Sequence, residues 1–244
     1  SWRMLLDDTP NMAFDIYRST DNGPATKLNR KSIKQTSDFI DTTADFQKNN
    51  RWTLKSGKKV LAQWEHKKNN RLPYLSIPIN RPTNRTVAGQ EYFFTANDCS
   101  VGDLDGDGNY EIILKWSPSN SKRPPQKGFS GNTILDAYKM DGTMLWRIDL
   151  GPNVRSGAAT TNFLVFDFDG DGKAEVCCKT GDGTIDGTGK AIGDVNADWR
   201  TWDKASPTYG KIVNGPEYIS IFEGATGKVL DTKEYVPTRY PLDG

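Results

Sequence analysis

Two stretches of this chain are one pattern written twice. The first is Val101-Gly102-Asp103-Leu104-Asp105-Gly106-Asp107-Gly108-Asn109-Tyr110-Glu111-Ile112-Ile113-Leu114-Lys115. The second is Val165-Phe166-Asp167-Phe168-Asp169-Gly170-Asp171-Gly172-Lys173-Ala174-Glu175-Val176-Cys177-Cys178-Lys179. The offset is 64 throughout (101 to 165, 115 to 179). Each copy turns through Asp-x-Asp-Gly-Asp-Gly and leaves on a short apolar run, which reads as strand, tight acidic loop, strand. A second element follows each copy: Leu135-Asp136-Ala137-Tyr138-Lys139-Met140-Asp141-Gly142-Thr143-Met144-Leu145-Trp146, and Ile219-Ser220-Ile221-Phe222-Glu223-Gly224-Ala225-Thr226-Gly227-Lys228-Val229-Leu230. Both read as hairpins around a Gly-containing turn. The unit is strand, acidic loop, strand, long connection, strand, Gly turn, strand, and four strands per repeat is the pattern of a β-propeller blade. The second unit carries a Gly- and Asp-rich insert near residues 181–211, expected as a loop over one face.

The acidic loops carry the strongest chemical signal. Carboxylates at alternate positions, with Gly permitting a sharp turn, wrap oxygen ligands around a hard cation, and Ca²⁺ takes six to eight such oxygens. The expected ligands are Asp103, Asp105, Asp107, the Asn109 carbonyl and Glu111 in one loop. In the other they are Asp167, Asp169, Asp171, the Lys173 carbonyl and Glu175. Solvated Asp-Gly turns would explain one such loop more easily than two with Glu at the same offset. An EF-hand needs a bidentate Glu at loop position 12 and flanking helices. Position 12 is Leu114 in one copy and Cys178 in the other, so the loops are assigned to strand-to-strand turns, where the metal would be structural.

Outward from the repeat the chain changes character. Residues 1–82 are read as a small β-sandwich-like, fibronectin-like domain, expected to be truncated at its start. Strands are expected at Met12–Arg18 and Lys59–Trp64, with turns at Asp21-Asn22-Gly23-Pro24 and Lys55-Ser56-Gly57-Lys58. Ile77-Pro78-Ile79-Asn80-Arg81-Pro82 reads as a linker, because two prolines hold it extended. No long amphipathic helix is expected, so the fold class is all-β. Charges nearly cancel across 244 residues, 32 basic against 31 acidic, which argues against nucleic acid or an anionic membrane as partner. No stretch approaches the roughly 20 apolar residues of a membrane span, and Ser1-Trp2-Arg3-Met4 lacks the order of a signal peptide. Three cysteines, Cys99, Cys177 and Cys178, form neither a disulfide framework nor a zinc spacing. The single histidine, His66, lies in a charged stretch and is expected on the surface, which leaves no Ser-His-Asp triad and no multi-His metal site. Asn84-Arg85-Thr86 matches a glycosylation sequon by chance.

Asn97-Asp98-Cys99-Ser100 running into the first acidic loop, then Glu111–Trp116 and Pro118-Ser119-Asn120-Ser121-Lys122, resemble the rhamnogalacturonan I lyases of polysaccharide lyase family 11. So do Leu135–Tyr138, Leu145–Gly151, Asp182-Gly183-Thr184 with Asp186-Gly187-Thr188-Gly189, and Gly215-Pro216-Glu217-Tyr218. The resemblance covers nearly the whole chain, the first 80 residues being similar to that family's small N-terminal β-domain. It implies an eight-bladed propeller carrying Ca²⁺ around a central cleft, of which residues 83–244 would form the first two to three blades. It also implies cleavage of the rhamnose–galacturonate bond of pectic rhamnogalacturonan I by calcium-assisted β-elimination, which removes the uronate C5 proton and expels the C4 oxygen. A cation near the carboxylate and a base within reach of C5–H are required. Lys115, Arg155 and Lys179 follow the repeated motifs and are the candidates for that base. Asn120, Asp136 and Arg155 are candidates for substrate contact, although for Asp136 a structural turn role is as well supported. The polymeric substrate that the resemblance implies leads to the expectation of a bacterial enzyme that is secreted, periplasmic or at the cell surface, with a surface glycan-utilisation complex as partner.

The chain departs from the family pattern at three places. Ser117 stands where the pattern has Asp after Lys-Trp, and Arg123 where it has Asp after Asn-Ser-Lys. Ala159-Thr160 stands where it has His-Tyr. Substrate contacts are affected more than the fold, so a non-catalytic, calcium-stabilised glycan-binding or scaffold propeller is the alternative. Length bears on both readings. About 160 residues remain after the first domain, two and a half units of 64, whereas propellers close at about four to eight blades. The 244 residues are therefore expected to be a fragment.

Overall fold

The structure, a computed structural model, describes residues 1–4, 8–9, 11–68 and 74–238. Every regular element among them is a strand, as expected of an all-β chain, and no helix is long and apolar enough to cross a membrane. The chain divides into two compact units, Ser1–Leu75 and Ser76–Gly244.

The first unit is one antiparallel sheet in the order β2-β1-β3-β4, built from β1 (Asp15–Thr20), β2 (Thr26–Lys27), β3 (Asn50–Ser56) and β4 (Lys59–His66). Asp21 and Asn22 hold φ of 48° and 62°, the left-handed backbone that Asp and Asn tolerate best, so the expected turn stands where its residues demand it. Trp52 and Trp64 face each other across β3 and β4 at 4.9 Å between rings. His66 corrects the sequence reading: it is buried at 7% exposure, edge-on to Phe46 at 5.1 Å, with Nε2 3.0 Å from the Phe46 carbonyl. A charged neighbourhood in sequence said nothing of the aromatic side chains that pairing brings against its ring.

The second unit holds both copies of the repeat. β7 (Phe94–Gly102), β8 (Glu111–Pro118), β9 (Ile134–Tyr138) and β10 (Met144–Asp149) make the first, running antiparallel in sequence order. β11 (Phe163–Phe166), β12 (Glu175–Thr180), β15 (Tyr218–Phe222) and β16 (Val229–Glu234) make the second. A short hairpin of β5 (Arg85–Val87) and β6 (Gln90–Tyr92) precedes them. The insert differs from expectation. Its strands β13 (Thr184–Ile185) and β14 (Ala191–Ile192) extend the first repeat's sheet through the pairing of Asp149 with Ile185, giving the order β14-β13-β10-β9-β8-β7. The free edge of β10 offers unpaired backbone groups, and the insert satisfies some of them.

The core lies between the two sheets, where Leu104, Ile113, Leu135, Trp146, Val176 and Phe222 are among the buried side chains. Burying such a side chain contributes about 1.5–3 kcal/mol. Trp146 Nε1 donates to the Gly224 carbonyl at 2.6 Å, tying the first sheet to the hairpin turn of the second. The first sheet is covered on its other face too, by a cluster that includes Tyr92, Phe94, Trp116 and Tyr138. The second sheet packs its Phe163, Val165, Val176 and Phe222 face against the core between the sheets. On the opposite face Leu164 and Phe166 remain 63% and 66% exposed.

Candidate functional site

The two acidic loops close in the same way. In the first, Asp103 Oδ1 accepts from the backbone N–H of Gly106 (2.8 Å) and Asp107 (3.1 Å), and its Oδ2 from Gly108 (2.8 Å). In the second, Asp167 takes the same bonds from Gly170 (2.7 Å), Asp171 (3.1 Å) and Gly172 (2.9 Å). Glu111 reaches back to the Leu104 N–H at 2.9 Å, and Glu175 to the Phe168 N–H at 2.9 Å. Carboxylate oxygens of Asp103, Asp105 and Glu111 lie within 4.8 Å of one another, and so do those of Asp167, Asp169 and Glu175. Asp107 and Asp171 fall outside these trios. Each accepts from the backbone two residues on, the N–H of Asn109 (2.7 Å) and of Lys173 (2.8 Å) respectively.

Each trio fits a hard cation by its donor chemistry. Burial pushes the Glu111 and Glu175 carboxyls above their ordinary range, and the neighbouring aspartates push the same way. Clustered carboxylates, one of them desolvated, are what a bound divalent ion relieves. The loops differ in their surroundings. Lys139 Nζ sits 2.9 Å from Asp105 Oδ2 and holds that carboxyl below its usual range, while Asp105 raises the lysine. The matching position in the second hairpin is Glu223.

The other candidates separate into buried and accessible groups. Lys115 is fully buried, and its ammonium donates to Asp98 (2.5 Å) and to the carbonyls of Ala158 and Thr161 (3.1 Å each). That corrects the expectation of a base beside substrate: all three of its protons are engaged, and the group is a cross-link between β8 and the loop preceding β11. Asp136 is also fully buried rather than facing a cleft. Arg147 grips it through two 2.7 Å bonds, Trp116 Nε1 donates at 2.8 Å and the Tyr138 hydroxyl at 2.7 Å. Asn120 Oδ1 accepts from the Gly131 N–H at 2.8 Å, and its buried Nδ2 has no partner among the described residues.

Arg155 and Lys179 share a cavity of about 470 Å³ whose walls include Lys122, Thr160, Asn162 and Tyr235. Arg155 donates to the carbonyls of Gln126 (2.6 Å), Gly210 (2.7 Å) and Gly128 (3.1 Å), pinning two loops together. Lys179 pairs with Glu217 and lies 5.7 Å from the centre of the Tyr235 ring. A second cavity of about 390 Å³ has Lys122, Pro124 and Thr160 in common with the first. Two of the three departures from the family pattern, Arg123 and Ala159-Thr160, line it. The third, Ser117, is buried in β8. Sequence reasoning missed Lys122, whose place in the wall depends on a connection with no periodic signal. It also missed the acceptor role of Asp182 and Asp186, which build the insert by taking bonds from Trp199 Nε1 (2.9 Å) and from the backbone of Lys190 and Val229 (2.9 and 3.0 Å).

An all-β chain with paired acidic loops and a cavity lined by basic side chains beside the second sheet is the setting in which comparison with known proteins becomes informative. The family described as "Rhamnogalacturonan lyase family 11, C-terminal domain" matches residues 74–243. The chain is 45% identical over 242 residues to rhamnogalacturonan endolyase YesW of Bacillus subtilis (strain 168), covering 98% of this chain and 37% of that protein. To rhamnogalacturonan exolyase YesX of the same organism it is 43% identical over 250 residues, covering 100% and 38%. The solved structures of YesW and YesX superimpose with TM-scores of 0.76 and 0.77, over 97% and 98% of this chain and 39% and 38% of theirs. This chain belongs to rhamnogalacturonan lyase family 11, and it spans less than two fifths of the length of these relatives.

Proposed function

We propose that this chain is part of a pectin-degrading lyase that cleaves the rhamnogalacturonan I backbone between rhamnose and galacturonate by β-elimination. The observation that carries the reading is the family match across residues 74–243, together with 43–45% identity to two named rhamnogalacturonan lyases. We further read the two four-stranded repeats as consecutive blades of a propeller, and the first 82 residues as a fibronectin-like domain. The repeated order of strand, acidic loop, strand and Gly-turn hairpin supports the blades. Ca²⁺ would be held by Asp103, Asp105 and Glu111, and by Asp167, Asp169 and Glu175. Bound there, it would supply positive charge that fixes the acidic turns. A polymeric substrate supports placement outside the cytoplasm.

The chain's own residues divide the remaining work. Lys115 and Arg155 fix the loop at residues 155–161 from two sides, one through Ala158 and Thr161, the other through three carbonyls of neighbouring loops. Lys122 and Lys179 are placed to meet an anionic sugar in the cavity. Incubation with rhamnogalacturonan I and Ca²⁺ tests the activity by absorbance near about 235 nm, where the unsaturated uronate product absorbs. An absorbance rise is expected from the whole enzyme. Retained glycan binding without one would favour the non-catalytic reading, which Arg123 and Ala159-Thr160 in the cavity wall support. Chelation is expected to lower the melting temperature, since an ion binding only the folded state must stabilise it.

A further inference from the structure

The connection at residues 77–82 reads as a linker in the sequence, yet the structure gives it partners. None of it is strand, and all of it but Ile77 and Pro82 is exposed. Such a segment ordinarily leaves its backbone to water. Here the backbone of Asn80 is held at both of its polar groups by side chains of the first repeat. Its carbonyl accepts from Arg147 Nη2 at 2.7 Å, and its N–H donates to the Tyr138 hydroxyl at 3.2 Å. Two residues earlier, Pro78 lies so close over the hairpin turn that any side chain at Gly142 would strike its ring. Two residues later, Pro82 is buried.

The two groups that hold Asn80 are themselves set by Asp136. This fully buried carboxylate accepts from Arg147 Nε and Nη2 (2.7 Å each), from the Tyr138 hydroxyl (2.7 Å) and from Trp116 Nε1 (2.8 Å). A guanidinium is a rigid fork, so engaging Arg147 through two nitrogens fixes the direction in which it meets Asn80. The Tyr138 proton goes to Asp136, which leaves the phenol oxygen as acceptor for the Asn80 N–H. A buried ion pair is a poor source of net stability, because desolvation offsets its attraction, and its best attested use is to fix register. The second repeat forms the same four-stranded order without one. Trp116, Asp136, Tyr138 and Arg147 correspond there to Thr180, Ser220, Phe222 and Asp231, and the Thr180 and Ser220 hydroxyls share a 2.6 Å bond instead. The network therefore goes with the connection that crosses the first repeat, and not with the repeat pattern.

We propose that residues 77–82 are a strap fastened on the first repeat, with Arg147 and Tyr138 as its clasp and Asp136 as the positioning residue that holds the clasp in shape. The connection is then a fixed part of the second unit and not a hinge. The inference is independent of the lyase reading, since it concerns neither the cavities nor the acidic loops.

Hydrogen exchange of the full chain, resolved amide by amide by NMR, tests it. The Asn80 amide is expected to exchange at least about tenfold more slowly than in an unstructured peptide. Tyr138→Phe removes its acceptor and should speed it about fivefold to tenfold. Arg147→Lys keeps a charge for Asp136 but loses the branch that reaches the strap, and should speed it about twofold to fivefold. Asp136→Asn alters no group that touches Asn80, so a gain of at least about threefold there shows action through the clasp. The amides of Val176 and Cys178, in the central strand β12, are expected to keep their rates within about twofold in all three variants, which separates release of the strap from general loosening. Unstructured rates at Asn80 in the unaltered chain, an unchanged rate in any variant, or an equal rise at Val176 and Cys178 would each overturn the proposal. Should Asp136→Asn not fold, Tyr138→Phe and Arg147→Lys decide.

Discussion

The two copies of the repeat share their local geometry and differ in nearly everything that surrounds it. Lys115 and Lys179 occupy the same place, 64 residues apart, yet the first is fully buried and the second 40% exposed. Leu104 is sealed in the core at 1% exposure, while its counterpart Phe168 is 43% exposed. Tyr138, hydrogen-bonded to Asp136, corresponds to Phe222, and Asp136 to Ser220. The carbonyl of Asp103 accepts from the N–H of Ala174 at 2.7 Å, so the second loop seats the first. The lesson is that the motif dictates the turn, whereas burial is conferred by the next copy along the chain. A repeat is finished by its neighbour, as in repeat architectures generally.

The widest gap should separate the two lysines. Lys115→Ala strands the buried Thr161 carbonyl and empties a fully buried site, and is expected to cost about 2–4 kcal/mol, against no more than about 1 kcal/mol for Lys179→Ala, read by urea unfolding. Comparable losses would break the comparison at its centre. Leu104→Ala should cost about 2–4 kcal/mol and Phe168→Ala under about 1 kcal/mol in the same assay.

Tyr138 sharpens the contrast through pH. Burial, with Asp136 adding to it, pushes its pKa from 10.0 up to about 12. The folded state therefore favours the neutral phenol. This contribution is fully present below pH 10, the unfolded value, and is lost as pH rises through about 12. Tyr138→Phe, which copies the second repeat, should remove that slope and cost about 1 kcal/mol at neutral pH. The smallest effect concerns the acidic loops. Lys139→Met removes the ammonium beside Asp105 and is expected to tighten divalent-ion binding at the first loop about twofold to fivefold, leaving the second unchanged, in a calorimetric titration. An equal gain at both loops would mean that Lys139 does not distinguish them.

Much of this was legible in the sequence because it is local. Gly at the turns and Asp at alternate positions demand the loop that forms, and Gly142 and Gly227, both at positive φ, close the two hairpins where expected. What was not legible depends on distant partners. Lys115 reads as a strand charge until Ala158 and Thr161, 43 and 46 residues on, lay their carbonyls over it. Asp136 sits in β9, buried at every position, so no alternation betrays that a carboxylate lies inside. His66 is covered by Phe46, 20 residues upstream. Charge in a linear pattern predicts exposure only when nothing later in the chain supplies a counter-group.

The carbonyl clamp on Lys115 also sets a schedule for synthesis. Thr161 is made 46 residues after the lysine it covers. At about 5–20 residues per second, the ammonium waits roughly 2–9 s in water before its cover exists. During that interval β8 cannot settle fully, and the first sheet matures only as fast as the ribosome delivers the loop that closes it.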